Sequence, residues 1–339
     1  MIWLYLVGGL VSLTICLLGN PVGRLLGVMD APDGERKLHS RATPLVGGMA
    51  VMVPVVLSAL FLASTTAFTP FYLSFAFATA AVMLLGLIDD RKHIRPYIRL
   101  AISVVIGYGV IQVVPDINVT FLSFTFLDSP VFMNGIWALV FTLLCLVGLQ
   151  NAINMADGQN GLVMGMTLIW VVCLSAYAPT HLLPLLGVFA IGLAIALIFN
   201  LNGRLFLGDS GSYAISISMG ILAIYVYTVG FDRLPADIVA IWFLVPVLDC
   251  LRLMVMRMVR GRSPFSSDRH PLHHMLQGLM SARRALMCYL GLVAVPAVLS
   301  WAAPAFTLWW GVMTFVIYAI ILAVQKQKRV VAQRDISAL

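Results

Sequence analysis

Long, uninterrupted apolar runs dominate this chain, and its polar residues gather in the gaps between them. The runs cover approximately residues 2–20, 45–63, 70–88, 97–114, 135–150, 161–177, 184–200, 212–229, 238–255, 285–302 and 306–324. Most hold about 17–25 residues, enough helix to cross roughly 30 Å of hydrocarbon. They are continuously apolar rather than alternating, which excludes the strands of a β-barrel. The pattern therefore predicts an all-α polytopic membrane protein with about eleven transmembrane helices. No repeat, low-complexity linker or separate soluble segment interrupts it, so residues 1–339 read as a single integral membrane domain. The first run lacks a cationic leader, since the first basic residue is Arg24. It reads as a retained membrane helix, not a cleaved signal peptide.

Composition agrees: 61% of the 339 residues are hydrophobic and 10% are charged, against about 25% charged in soluble domains. A formal charge of +7 raises the question of nucleic acid. The distribution of that charge answers it. In the alternating gaps, one set carries twenty of the 21 lysines and arginines, and the other carries only Arg233. Such sorting is the positive-inside signature of a membrane protein, not a nucleic-acid face. It predicts an outside N-terminus and a cytoplasmic C-terminus. The five cysteines are scattered singly through apolar segments without a CxxC pair, so they read as small buried apolar residues.

The predicted cytoplasmic loops, 24–44, 89–97, 150–161, 201–212 and 256–284, hold nearly all the unusual polar residues. In "GLIDDRKHIRP", Asp89 and Asp90 close an apolar run. Two adjacent anions at a helix C-terminus oppose the macrodipole and each other, so they call for a cation or a proton-transfer role. In "LQNAINMADGQNGL", Asn151, Asn154, Asp157 and Asn160 recur at spacing three; on a helix they would share one face. In "FLGDSGS", Asp209 lies among small residues, with Ser210 and Ser212 as candidate phosphate donors and Asp209 also suited to capping the next helix. In "SSDRHPLHH", Asp268 stands beside Arg269, His273 and His274, whose guanidinium and imidazole groups can bind phosphate. The spacing lacks HExxH and CxxC, which argues against zinc. Asp249 falls inside an apolar run, with Arg252 at i+3 as a partner; a functional carboxylate and a structural ion pair are both open readings. An acidic centre ringed by Arg and His at a bilayer surface suits Mg2+ and a phosphorylated substrate, with a lipid as the second substrate.

In these loops the chain resembles the polyprenyl-phosphate N-acetylhexosamine-1-phosphate transferases, glycosyl transferase family 4. The motifs "TPLVGG", "DDRKHI", "NAINMADGQNGL", "FLGDSGS" and "SSDRHPLHH" occur in family order across nearly the whole length. The resemblance implies transfer of a UDP-activated N-acetylhexosamine 1-phosphate to undecaprenyl phosphate in a bacterial inner membrane. UMP is released, and lipid-linked surface glycan synthesis begins. It implies Mg2+, with Mn2+ as a substitute, and is compatible with a homodimer. Carried over by motif, Asp209 and Asn154 are metal ligands, Asp89 and Asp90 hold or activate the lipid phosphate, and Asp157 is catalytic. Asn151, Asn160, His39, Arg41, Asp268, Arg269, His273 and His274 contact substrate.

Two positions depart from the pattern. Asn160 replaces the second aspartate of "DGxDG", so no catalytic base carries over there. Pro271 occupies the first histidine position of "DRxHxHH", and His270 stands one place earlier. "DRHPLHH" also differs from the consecutive histidines of phospho-MurNAc-pentapeptide transferases, which favours the amino-sugar branch over that alternative. A secondary transporter, a different class of reading, would place its polar residues at mid-membrane rather than at one face.

Overall fold

A computed structural model describes residues 1–31, 42–230, 232–266 and 270–337, with side chains as far as Lys328. His39, Arg41, Asp268 and Arg269 lie outside the described residues.

The described residues are predominantly helical. In order, the helices are α1 (Ile2–Leu17), α2 (Gly19–Leu26), α3 (Gly47–Thr65), α4 (Thr69–Lys92), α5 (Pro96–Val113), α6 (Ile136–Ala156) and α7 (Leu162–Ser175). They continue with α8 (Leu183–Leu201), α9 (Gly208–Val229), α10 (Ala236–Val259), α11 (Leu272–Gln277), α12 (Ala282–Ala302) and α13 (Thr307–Ser337). Three single-turn 3-10 helices and two short antiparallel strand pairs complete the described structure. One joins β1 (Met29–Asp30) to β2 (Thr43–Pro44), the other β3 (Phe121–Leu122) to β4 (Val131–Phe132).

Each of the eleven apolar runs becomes helical, but the runs are not equivalent. Among the described residues, nine helices are long and apolar enough to cross a membrane. The first run breaks into α1 and α2, bent by 71°, and is a tenth candidate only if the pair is taken together. Helix α7 has 14 residues, about 21 Å at 1.5 Å per residue, short of a full crossing. Cys145 is exposed on the bundle's outer surface, unlike the buried Cys16 and Cys250.

Helix α9 forms the centre. It is buried on every side, from Gly208 to Tyr227, except at Asp209. A helix apolar or small all round has no solvent face to keep, and α9 is rich in serine and glycine. Small residues let neighbouring helices approach closely in a membrane. A Cβ on Gly86 of α4 would lie 2.5 Å from the Asp209 carbonyl carbon and from Ser210 Cα. A Cβ on Gly48 of α3 would strike the Gly211 backbone. These two glycines bring α3 and α4 into backbone contact with the first turn of α9. Deeper in the same interface, the Thr79 and Ser218 hydroxyls share a buried 2.9 Å hydrogen bond.

Helix α10 shows how the bundle tolerates proline. Pro246 has no N–H for the Trp242 carbonyl four residues earlier. The Trp170 indole N–H fills that vacancy at 2.7 Å, so no polar group is stranded in the apolar interior.

Candidate active site

Asp89, Asp90, Asp157 and Asp209 converge at one end of the bundle, where α4, α6 and α9 meet. The two adjacent aspartates there do different work. Helix α4 runs on through both and ends at Lys92, and His93 adopts a left-handed conformation (φ 48°) that turns the chain. That turn directs the Ile94 N–H back onto Asp89 Oδ1 at 2.6 Å. Asp89 Oδ2 accepts from Arg99 Nη1 at 2.5 Å and from the Tyr213 hydroxyl at 2.7 Å. Arg99 also donates to Tyr213 Oη. Asp89 is buried, and three donors offset its charge at the unfavourable end of α4.

Asp90 faces the other way. Its Oδ1 accepts from the Asp209 amide at 2.9 Å, and its Oδ2 accepts from the Ser210 amide at 3.1 Å. These amides belong to the first turn of α9, whose N-cap residue, Leu207, offers no side-chain cap. A carboxylate from α4 thus caps α9 across the helix interface, where an anion meets the positive end of the dipole. This corrects the expectation that Asp209 caps its own helix. The Asp209 side chain is left available to the cleft. The geometry also leaves Ser210 and Ser212 unsuited to phosphate: Ser210 is fully buried, while Ser212 Oγ accepts from Asn154 and donates to the Asp209 carbonyl.

The asparagine series is only partly on one face. Asn151 and Asn154 lie on α6, but the helix ends at Ala156. Asp157 is the C-cap, and Asn160 sits in the turn leading to α7. Asn154 Nδ2 donates to Asp209 Oδ1 at 2.8 Å. Asn151 Nδ2 donates back to the Val147 carbonyl at 2.8 Å. It lines a small cavity with Arg99, Ser103, Gln150, Asn154 and Tyr213.

Asp157 is pushed up to about 8, first by burial and then by the Asp209 and Asp90 carboxylates. At pH 7 a cation beside these three acidic groups would favour their ionised forms. Among the described residues, no set of three His, Cys, Asp or Glu forms a ready-made metal cage. Mg2+ does not need one, because it binds through one or two carboxylates and keeps waters and substrate phosphates as its other ligands. The carboxylates of Asp157 and Asp209 are donors of the type such an ion takes, while Asn154 presents its amide nitrogen, not its oxygen, to Asp209.

The histidine segment closes over the same turn. Helix α11 buries His273 against Gly158, where a Cβ would lie 2.8 Å from the imidazole Cε1. Neither ring nitrogen of His273 has a hydrogen-bond partner, and its ring lies 4.3 Å from that of His274. Burial, then His274, lowers the His273 pKa to about 3, so the ring is neutral at pH 7. In the sequence Arg99 counts only toward the charge sorting, and Tyr213 carries no signal of its own. The clue to Arg99 was present, since it is the sole charge in "PYIRLAISVVIGYGVIQV", and a lone charge in an apolar helix needs a partner.

Comparison with known proteins bears on this geometry. Residues 72–227 match the model of glycosyl transferase family 4, the segment that contains Asp89, Asp90, Asn154, Asp157 and Asp209. The chain is 30% identical over 274 residues to the undecaprenyl-phosphate alpha-N-acetylglucosaminyl 1-phosphate transferase of Escherichia coli (strain K12), covering 75% of this chain and 70% of that protein. It is 28% identical over 285 residues to the Yersinia pestis protein of the same name, covering 79% and 74%. It is 26% identical over 332 residues to the probable undecaprenyl-phosphate N-acetylglucosaminyl 1-phosphate transferase of Bacillus subtilis (strain 168), covering 94% and 90%.

Proposed function

Because the chain belongs to glycosyl transferase family 4, we propose that it transfers N-acetylglucosamine 1-phosphate, or a related amino-sugar 1-phosphate, from a UDP-sugar to undecaprenyl phosphate. A lipid-phosphate oxygen forms a bond to the phosphorus that carries the sugar. The bridge of the pyrophosphate breaks, and UMP leaves with the bridging oxygen. The product starts a lipid-linked surface glycan. The observation that carries this reading is the convergence of Asp90, Asp157, Asp209 and Asn154, from three separate segments, at one end of an apolar bundle. The sorting of basic residues with these segments supports a cytoplasmic position for that end, where UDP-sugars are made. Taking α7 and the bent α1–α2 pair as crossings beside the nine longer spans gives eleven, a count that supports termini on opposite sides.

Two anionic substrates must approach each other for this reaction, so the barrier is largely electrostatic. Mg2+ bound here would neutralise phosphate charge and stabilise the leaving UMP. Asp209 and Asp157 would hold it. Asn154 would join them by turning its amide, which now presents nitrogen to Asp209. Asp90 fixes the first turn of α9 and so orients Asp209. Asp89 already accepts from three donors, which suits it to holding Arg99 beside the lipid phosphate rather than to removing a proton. His274, which is only partly buried, offers its imidazole to the donor sugar phosphate, and His273 packs on the turn that carries Asp157.

The test is UMP release by purified protein with undecaprenyl phosphate and Mg2+ across a panel of UDP-amino sugars. UMP formed only when the lipid is present, from at least one donor, is the expected result. Failure to release UMP from any donor would overturn the proposal, and UMP released without lipid would overturn direct attack in favour of a covalent enzyme intermediate.

A further inference from the structure

We propose that Asp249 is a positioning residue that, with Arg252 and Tyr318, latches the histidine helix α11 onto the turn at Asp157–Gly158. Asp249 is buried on α10. Its Oδ1 accepts from Arg252 Nη2 at 2.7 Å and from the Tyr318 hydroxyl at 2.9 Å. In a plain ion pair, each partner would be spent on the other. Here both reach past each other to the main chain on the two sides of Pro271. Asp249 Oδ2 accepts from the Leu272 N–H at 2.8 Å, and Arg252 Nη2 donates to the His270 carbonyl at 2.6 Å. Pro271 has no N–H to offer, so these flanking groups are the handles by which α11 can be held. Leu272 is the first residue of that helix, and His273 follows it directly.

The grip has a second point. Lys328 Nζ, also from α13, donates to the Gly278 carbonyl just past the end of α11 at 2.7 Å. Helix α13 is otherwise mostly open to the surroundings of the bundle. It nonetheless holds α11 at both ends, through Tyr318 and Lys328. A six-residue helix cannot sustain itself, because nucleation is too costly. Its conformation, and the seat of His273 against Gly158, therefore depend on this clamp.

The kinetic consequence rests on the transferase reading, in which His273 seats the turn at Asp157 and His274 meets the sugar donor; the structural one does not. Tyr318→Phe removes a single hydroxyl, so it tests the latch with little risk to folding, and Asp249→Asn is the stronger variant. Two measurements decide. Amide hydrogen exchange of the whole protein in detergent should accelerate by about tenfold or more over residues 270–278 in Tyr318→Phe and remain unchanged in α4 and α9. UMP release should fall about tenfold in kcat/KM for Tyr318→Phe. The double variant Tyr318→Phe/His273→Ala should be no slower than His273→Ala alone, because both changes act through one side chain. Unchanged exchange over 270–278 would overturn the latch, and kinetic losses that simply multiply would overturn its action through His273. If the wild-type protein releases no UMP, the transferase reading fails while the exchange measurement still decides the latch.

Discussion

Gly86→Ala adds one methyl group where two helices touch through their backbones. The added Cβ would lie 2.5 Å from the Asp209 carbonyl carbon and Ser210 Cα, while ordinary contact begins at 3.4 Å. Both atoms are main chain, so no side chain can swing aside. Helices α4 and α9 must part by about 1 Å, at a cost of about 1–3 kcal/mol for overpacking. The same movement stretches the bonds from the Asp209 and Ser210 amides to Asp90, now 2.9 and 3.1 Å, to nearly 4 Å, beyond useful hydrogen bonding. Asp209 then shifts relative to Asp157 and Asn154, and a 1 Å misplacement costs about a hundredfold in rate. The assay is kcat for UMP release, with thermal stability in detergent measured in parallel. Gly109→Ala is the control: it makes the same substitution in α5, where an added Cβ meets nothing within 4 Å, and activity should be unchanged. If Gly86→Ala keeps kcat within a factor of about three of wild type, the argument that backbone contact sets the site is wrong.

Other outcomes follow from the charges. Asp157, with a pKa of about 8, is mostly protonated at pH 7 without a cation. At limiting Mg2+ the rate should therefore rise with pH through that region, saturating Mg2+ should move the rise to lower pH, and Asp157→Asn should abolish it. His273 titrates at about 3 in the fold against an ordinary 6.5, so the unfolded chain binds the extra proton. Its contribution to stability is complete above about 6.5 and is lost as pH falls toward 3; the thermal midpoint should drop over that window in wild type and less in His273→Gln. Arg99→Met strands the buried Asp89 carboxylate and should cost about 3–5 kcal/mol of stability. Adding Asp89→Asn should recover part of that stability without restoring activity.

The helices and their order were legible along the chain because a membrane demands long apolar segments with internally paired backbones. The sorting of twenty cations into alternate gaps was legible for the same reason, since charge is read loop by loop. The candidate residues stood out because polar groups are scarce in such a chain. What each of them does was not legible. "IDD" contains two identical carboxylates, and only the fold makes one accept from Arg99 and Tyr213 while the other caps a helix 119 residues away. The spacing of Asn151, Asn154, Asp157 and Asn160 suggested one continuous face, but α6 stops at Ala156, and the last two enter a turn under His273. Asp249 remained ambiguous until Tyr318 and the Pro271 segment were seen around it. Apolar periodicity is a property of neighbouring residues and the solvent they meet, so the sequence by itself determined the bundle. Hydrogen-bond partners from distant segments depend on how closely helices approach, and here Gly48, Gly86 and Gly158 set that approach. That closeness, and with it the role of each carboxylate, was decided only by the tertiary structure.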